Sequence, residues 1–387
     1  KQYILGIDFF VTKILLNKYD NIEFFLGGLF MTGKTRKMFP GGNTANGFYS
    51  FFDYIIPNDV NRIFCLKGGP GVGKSSFMKK MAKEFTKMGY DVELHYCSSD
   101  PSSLDGVVIK GLNVVMIDAT APHTVDPKIP GAVDEILNFG EFWDVDKIEK
   151  NREEIASCNS DISECFQRAF RFLKSAEPIY MDADSKISKC IDSTKVSEIT
   201  YEFIEKIFKD VEFSGKKSCV RHLFGSAITP IGYLDYSDSL FDGVENIYYL
   251  EGEIGSGKTT LLEAVYTRAQ QKGLDVEVYH FPLIIDKLQA VYIPALDLAV
   301  TTSARFKDKK EIDLNTCIDE DKLKKYIDDV KIDKDLVDYL MNNAISNLKR
   351  AKFNHDIVED YYVPAMDFNK VELLKDEIIN RILKYKK

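Results

Sequence analysis

Residues 63–77 read Ile63-Phe64-Cys65-Leu66-Lys67-Gly68-Gly69-Pro70-Gly71-Val72-Gly73-Lys74-Ser75-Ser76-Phe77. An apolar run enters a glycine-rich turn that ends on Lys74 and Ser75, after which Phe77, Met78, Met81 and Phe85 recur at helical spacing. The order this predicts is strand, loop, helix. Glycines let the backbone curl so that successive N–H groups converge, and the helix that follows adds the positive end of its dipole. A turn of this kind cradles a polyanion.

The pattern then returns. Ile247-Tyr248-Tyr249-Leu250-Glu251-Gly252 lines up with Ile63 to Gly68 at an offset of 184 residues (247 minus 63), which holds without a gap for dozens of residues. Gly257-Lys258-Thr259-Thr260 meets Gly73-Lys74-Ser75-Ser76, and Leu288, Val291, Ile293 and Leu296 meet Leu104, Val107, Ile109 and Leu112. Upstream, Phe39 to Asp53 matches Phe224 to Asp238 with the offset changed by one. Downstream, Ala169, Leu173, Lys174 and Ala176 meet Ala344, Leu348, Lys349 and Ala351 at an offset of 175 (344 minus 169). Self-similarity at a fixed period predicts an internal duplication, each half an α/β part followed by a helical part. The boundaries expected are an extension over 1–36, a first domain over 37–215 with its helical part at 146–213, and a second over 216–387 with its helical part at 319–387.

Gly68 to Ser75 and Gly252 to Thr259 are both complete matches to GxxxxGK[ST]. Neither supplies a third glycine at GxGxxG spacing, so a dinucleotide site fits less well. Both resemble the Walker A motif of the P-loop NTPase superfamily, and the whole chain is similar to uncharacterised bacterial proteins with tandem P-loop domains, loosely labelled ATPases or nucleotide kinases. The resemblance implies two α/β P-loop domains, each with a mostly parallel sheet flanked by helices. It also implies ATP or another nucleoside triphosphate, with Mg²⁺, as the ligand. Gly68, Gly71, Gly73, Lys74, Ser75 and Ser76 would form one cradle; Gly252, Gly255, Gly257, Lys258, Thr259 and Thr260 the other. The two lysines would lie between β- and γ-phosphates, and the Ser75 and Thr259 hydroxyls would face Mg²⁺.

P-loop enzymes also present a carboxylate on the magnesium side, at the end of a buried strand. Val114-Val115-Met116-Ile117-Asp118 has that form, so Asp118 is the expected metal-side carboxylate of the first half. At the same offset the second half carries Thr302, with Asp297 and Asp286 as nearby substitutes. Turnover is therefore expected at the first loop, with the second binding nucleotide and turning over weakly or not at all. Catalytic roles fall to Lys74 and Asp118, with His123 and Asp100 as candidates for positioning water or an acceptor, though surface hydrogen bonding and turn formation are the commoner roles of such residues. Asp126 and His280 are weaker candidates of the same kind. Arg168, Arg171, Lys174, Lys349 and Arg350 are cations on predicted helices, where a solvated face is the simpler account.

Composition bounds the rest. A chain of 387 residues exceeds one ordinary core, and 45% apolar with 29% charged residues is globular. The net charge of -9 argues against neutralising a nucleic-acid backbone. No apolar run reaches the length of a membrane span. Seven cysteines without a CxxC pair fit reduced thiols in a cytoplasmic protein. Residues 1–30 are expected to be translated leader, because Leu26 to Phe30 could be encoded by a purine-rich ribosome-binding stretch ahead of Met31. Three functions follow in order: a Mg²⁺-dependent ATPase, a kinase acting on a nucleotide or other small acceptor, and a nucleotide-dependent scaffold with an unknown protein partner.

Overall fold

A computed structural model describes residues 32–120 and 124–386; the leader expected over residues 1–30, the start expected at Met31 and the candidate His123 lie outside the described residues. The described chain opens with β1 (Thr35–Met38), the hairpin of β2 (Gly41–Thr44) and β3 (Gly47–Ser50), and β4 (Arg62–Lys67), whose Ile63 and Phe64 are the β-branched and aromatic types that suit a strand. After α1 (Lys74–Lys87) come β5 (Val92–Tyr96), β6 (Leu104–Ile109), β7 (Val114–Asp118) and β8 (Asp134–Asn138). Helices α2 (Val145–Glu149), α3 (Arg152–Ser188) and α4 (Ser193–Phe208) end this stretch. The second stretch opens with β9 (Val220–Leu223), β10 (Ser226–Thr229), β11 (Gly232–Asp235) and the short α5 (Ser237–Leu240). It continues with β12 (Asn246–Glu251), α6 (Lys258–Gln271), β13 (Val276–His280), β14 (Leu288–Ile293), β15 (Leu298–Thr301) and β16 (Lys310–Asp313). Helices α7 (Glu320–Leu323), α8 (Ile327–Tyr362) and α9 (Phe368–Ile382) close it.

Twelve of these strands build two six-stranded sheets, ordered β1-β5-β6-β7-β4-β8 and β9-β13-β14-β15-β12-β16, and β2-β3 and β10-β11 form two-stranded antiparallel hairpins. Both sheets are mixed. β6 runs antiparallel to β5 and β7, as β14 does to β13 and β15, while the other pairings are parallel. The reason is connection length: residues 97–103 and 110–113 are too few for the crossover that a parallel neighbour requires. Helix α1 buries Phe77, Met78, Met81 and Phe85 against Phe64 and Leu66 of β4. Each such side chain contributes about 1.5–3 kcal/mol.

The helical parts do not pack where chain order puts them. α4 buries Phe203, Ile204 and Phe208 against Leu250, Leu261 and Val265, in the core of the second sheet. Reciprocally, α9 buries Val371, Ile378 and Ile382 in the core of the first sheet with Phe64 and Phe77. Between them α3 and α8 lie side by side in opposite directions, with Lys186 against Asp333 near one end and Ala169, Leu173, Ala176, Ala344 and Leu348 along a buried seam. Thr32–Lys387 pack as one compact unit.

The two sheets meet around Phe39 and Phe224, which exchange backbone hydrogen bonds of 2.9 and 3.0 Å. Beside them Arg36 pairs with Glu277 (2.5 Å) and Arg221 with Glu93 (2.8 Å). Burial opposes ionisation of Glu277, but Arg36 and Arg221 hold its carboxyl down at about 2. Among the described residues no helix is long and apolar enough to cross a membrane. All seven cysteines are free thiols.

Candidate functional site

The parallel strands β4 and β12 each deliver the chain into a glycine turn that leads to a helix, as the periodicity predicts. Gly71 and Gly73 take φ of 67° and 91°, and Gly255 and Gly257 take 76° and 99°. Those values lie in the left-handed region where a side chain is strained, so these glycines are required by the turn itself. Each lysine folds back over its own loop. The Lys74 ammonium donates to the carbonyls of Gly68 (2.7 Å) and Gly69 (2.9 Å). The Lys258 ammonium donates to the carbonyls of Gly252 and Glu253, the latter at 2.7 Å. Burial pushes the Lys258 ammonium down to about 8, against the pull of Glu253 and Glu251.

Around the first loop the sheet brings carboxylates together. β7 lies beside β4 with Asp118 level with Leu66, which sets the Asp118 carboxylate 3.5 Å from the Lys74 ammonium. Asp118 also accepts from the backbone N–H of Thr120 at 3.0 Å, and the Thr120 hydroxyl donates to the carbonyl of Gly68. The Ser75 hydroxyl accepts from the N–H of Leu104 at 3.0 Å, tying the start of α1 to β6. Ser76 and Thr260 are exposed one residue further along their helices, and Thr259 is half-buried.

Asp105 is the residue that the sequence reasoning missed. It is 5% exposed on β6, next to the β7 strand that ends on Asp118. Burial and the neighbouring charge of Asp118 hold its carboxyl well above the usual range. The signal was an acidic residue inside the otherwise apolar run Leu104 to Ile109, matched by Gln289 at the repeat offset.

The remaining candidates separate. Asp100 accepts from the Ser102 and Ser103 hydroxyls at 2.7 and 2.8 Å and lies 3.5 Å from the Lys352 ammonium of α8. Burial works against its charge, but these partners keep its carboxyl below the usual range. It organises its own turn. Asp126 is exposed and paired with Lys67 at 3.2 Å. His280 shares a hydrogen bond of 2.8 Å with His222, and burial brings its imidazole down to about 4.

At the second loop Thr302 follows β15, and its hydroxyl donates to the carbonyl of Gln289. Asp297 lies at the opposite end of β15 from the loop, where it accepts from the N–H of Glu245, so it does not stand in for a carboxylate there. Asp286 is exposed. The acidic group that does approach comes from the helical part: Asp184 of α3, paired with Lys287 at 2.5 Å, acts on the Lys258 charge. Arg168, Arg171, Lys174, Lys349 and Arg350 are exposed along the middle of α3 and α8. Arg171 is thirteen residues from Asp184, about 20 Å along the helix.

Both loops lie under helix corners. A Cβ on Gly69 would stand 2.9 Å from the Tyr362 ring, and one on Gly71 3.0 Å from Val363 and 3.3 Å from Glu359. Over the second loop, a Cβ on Gly255 would stand 2.4 Å from the carbonyl oxygen of Asp184, and Ser188 donates to the carbonyl of Gly255 at 3.1 Å. No protein-family model, curated protein or solved structure matches the chain.

Proposed function

We propose that this chain is a Mg²⁺-dependent nucleoside triphosphatase of the P-loop superfamily, built by internal duplication, which binds ATP at both loops and hydrolyses it at the first. The observation that carries the reading is the set around Lys74: left-handed glycines below the ammonium and Asp118 at the end of the adjacent parallel strand, 3.5 Å away. Two independent full-length loop motifs, each between a strand and a helix, support the nucleotide, and the matching order of the two sheets supports the duplication.

The donor set fits the ligand. Curled amides and an ammonium complement phosphate oxygens, and a hydroxyl with a carboxylate offers the hard oxygen ligands that Mg²⁺ takes. Ser75 and Asp118 would hold Mg²⁺, which when bound neutralises charge on the phosphates. Lys74 exchanges its carbonyl partners for phosphate oxygens and stabilises the charge that develops on the transferring group. Asp118, with Asp105 behind it, keeps the carboxylate end of the sheet oriented toward that charge. Burial and the neighbouring Asp118 raise the Asp105 carboxyl, which favours its neutral form there. At the repeat offset the second half carries Gln289 and Thr302 where the first has Asp105 and Asp118, which supports binding there without efficient turnover.

Phosphate release from Mg-ATP tests this. Lys74→Ala and Asp118→Asn should each lower the rate at least a hundredfold, with Asp118→Asn still binding nucleotide, while Lys258→Ala retains turnover. Release untouched by Lys74→Ala but lost in Lys258→Ala would reverse the two sites.

A further inference from the structure

We infer that the two loops are coupled: a nucleotide at one tightens binding at the other, through the antiparallel pair α3 and α8. The inference rests on nucleotide binding at both loops and concerns how that binding is regulated.

The covers over the loops are exchanged between the halves. The corner between α8 and α9 covers the first loop, with Tyr362 over Gly69, Val363 and Glu359 over Gly71, and Phe368 over Gly73. The corner between α3 and α4 covers the second, with Asp184 and Ser188 over Gly255 and Val196 over Gly257. Each corner is pinned on the segment that follows the last strand of the sheet it covers. Asp144 donates its N–H to the carbonyl of Ala365 and Asp367 donates to Phe142, both at 2.8 Å; Asp192 donates to Cys317 and Asp319 to Cys190, also at 2.8 Å.

The first corner leaves too little space for a nucleotide, and at the second the Asp184 carbonyl stands 2.4 Å from where a Cβ on Gly255 would be. The cleft that Gly73 and Ser76 share with Phe368 and Val371 holds about 40 Å³, against several hundred for a nucleotide-sized pocket. Binding therefore requires a corner to lift. The two corners are the far ends of α3 and α8, which are packed along an alanine-rich seam with no room to deform independently. Near the second loop Lys186 of α3 ties itself to Asp333 of α8 at 2.9 Å, and Lys334 of α8 pairs with Glu253 of that loop. α8 thus touches the second loop at its beginning and the first at its end. The ligand that lifts one corner shifts the shared pair and relieves part of the work at the other, so the second ligand binds more tightly.

The experiment is equilibrium titration of the full chain with a slowly hydrolysed ATP analogue and Mg²⁺, in the wild type, Lys74→Ala, Lys258→Ala and Lys186→Ala. We expect a Hill coefficient above one in the wild type, and each single-loop variant should bind its one nucleotide at least fivefold more weakly than the second nucleotide binds the wild type. Lys186 touches neither loop, so Lys186→Ala should keep two sites and bring that ratio toward one. Two sites in the wild type, each with the same constant as in its single-loop variant, would overturn the coupling and leave the nucleotide reading standing. Absence of binding at both loops would remove the nucleotide reading and the coupling with it.

Discussion

Burial governs the behaviour of the Lys258 ammonium. Its ordinary value is 10.5, and burial beneath the α3 corner brings it to about 8, a difference worth about 3 kcal/mol. In the free protein it is about nine-tenths charged at pH 7 and about one-tenth at pH 9. A triphosphate is fully ionised across that range, since phosphate esters lose their last proton near pH 6. Bound phosphate restores the ammonium, so above pH 8 binding must take up a proton, and affinity at the second loop should fall about tenfold between pH 7 and pH 9. The assay is titration of the Lys74→Ala variant, in which only the second loop should bind, at half-unit steps of pH in buffers of different ionisation heat, so that proton uptake is read directly. Lys258→Arg keeps its charge throughout and should give a flat profile. A flat profile for Lys258 itself, within twofold and without proton uptake, would refute the reasoning. The same linkage has a consequence without ligand. The unfolded lysine holds its proton to 10.5 and the folded one releases it near 8, so stability should rise as pH climbs between those values.

Arg221→Ala removes the bidentate partner of the buried Glu93 and should destabilise the chain by about 3–5 kcal/mol in denaturant unfolding; a loss below 1 kcal/mol would mean that Arg36 and Lys110 suffice. The folded carboxyl of Glu277 at about 2 lies below its ordinary 4.5, so its stabilisation is complete above pH 4.5 and should disappear as pH falls toward 2, seen as a drop in Tm that Glu277→Gln lacks. His280, unlike Glu277, favours its neutral form: its share of stability, about 3 kcal/mol, is present above pH 6.5 and lost as pH falls to 4, and His280→Phe should flatten the melting profile in that window. Gly255→Ala combines a positive φ with a Cβ 2.4 Å from the Asp184 carbonyl, whereas Gly131→Ala has the positive φ and open space. The first should cost at least 2 kcal/mol and the second about 1 kcal/mol, and equal losses would show that the α3 corner yields freely.

The strand, loop and helix around Lys74 and around Lys258 were legible in the sequence, because an apolar run, glycines and a 3.6-residue period are local signals that local backbone geometry obeys. Asp118 at the end of its strand was legible for the same reason. The direction of β6 was concealed only until the seven- and four-residue connections on either side of it are weighed. Asp105 escaped because a lone aspartate in an apolar run has no meaning until the neighbouring strand is known, and Asp297, close to Thr302 in sequence, proves to lie at the far end of β15. What only the tertiary structure decided is the partner of each helical part. Amphipathic spacing tells that Phe203, Ile204 and Phe208 or Val371, Ile378 and Ile382 must be buried, but both cores offer a similar apolar face, and periodicity carries no address. The exchange of α4 and α9 between sheets depends on how two helices of about 55 Å pack against each other, because that packing decides over which sheet each of them ends.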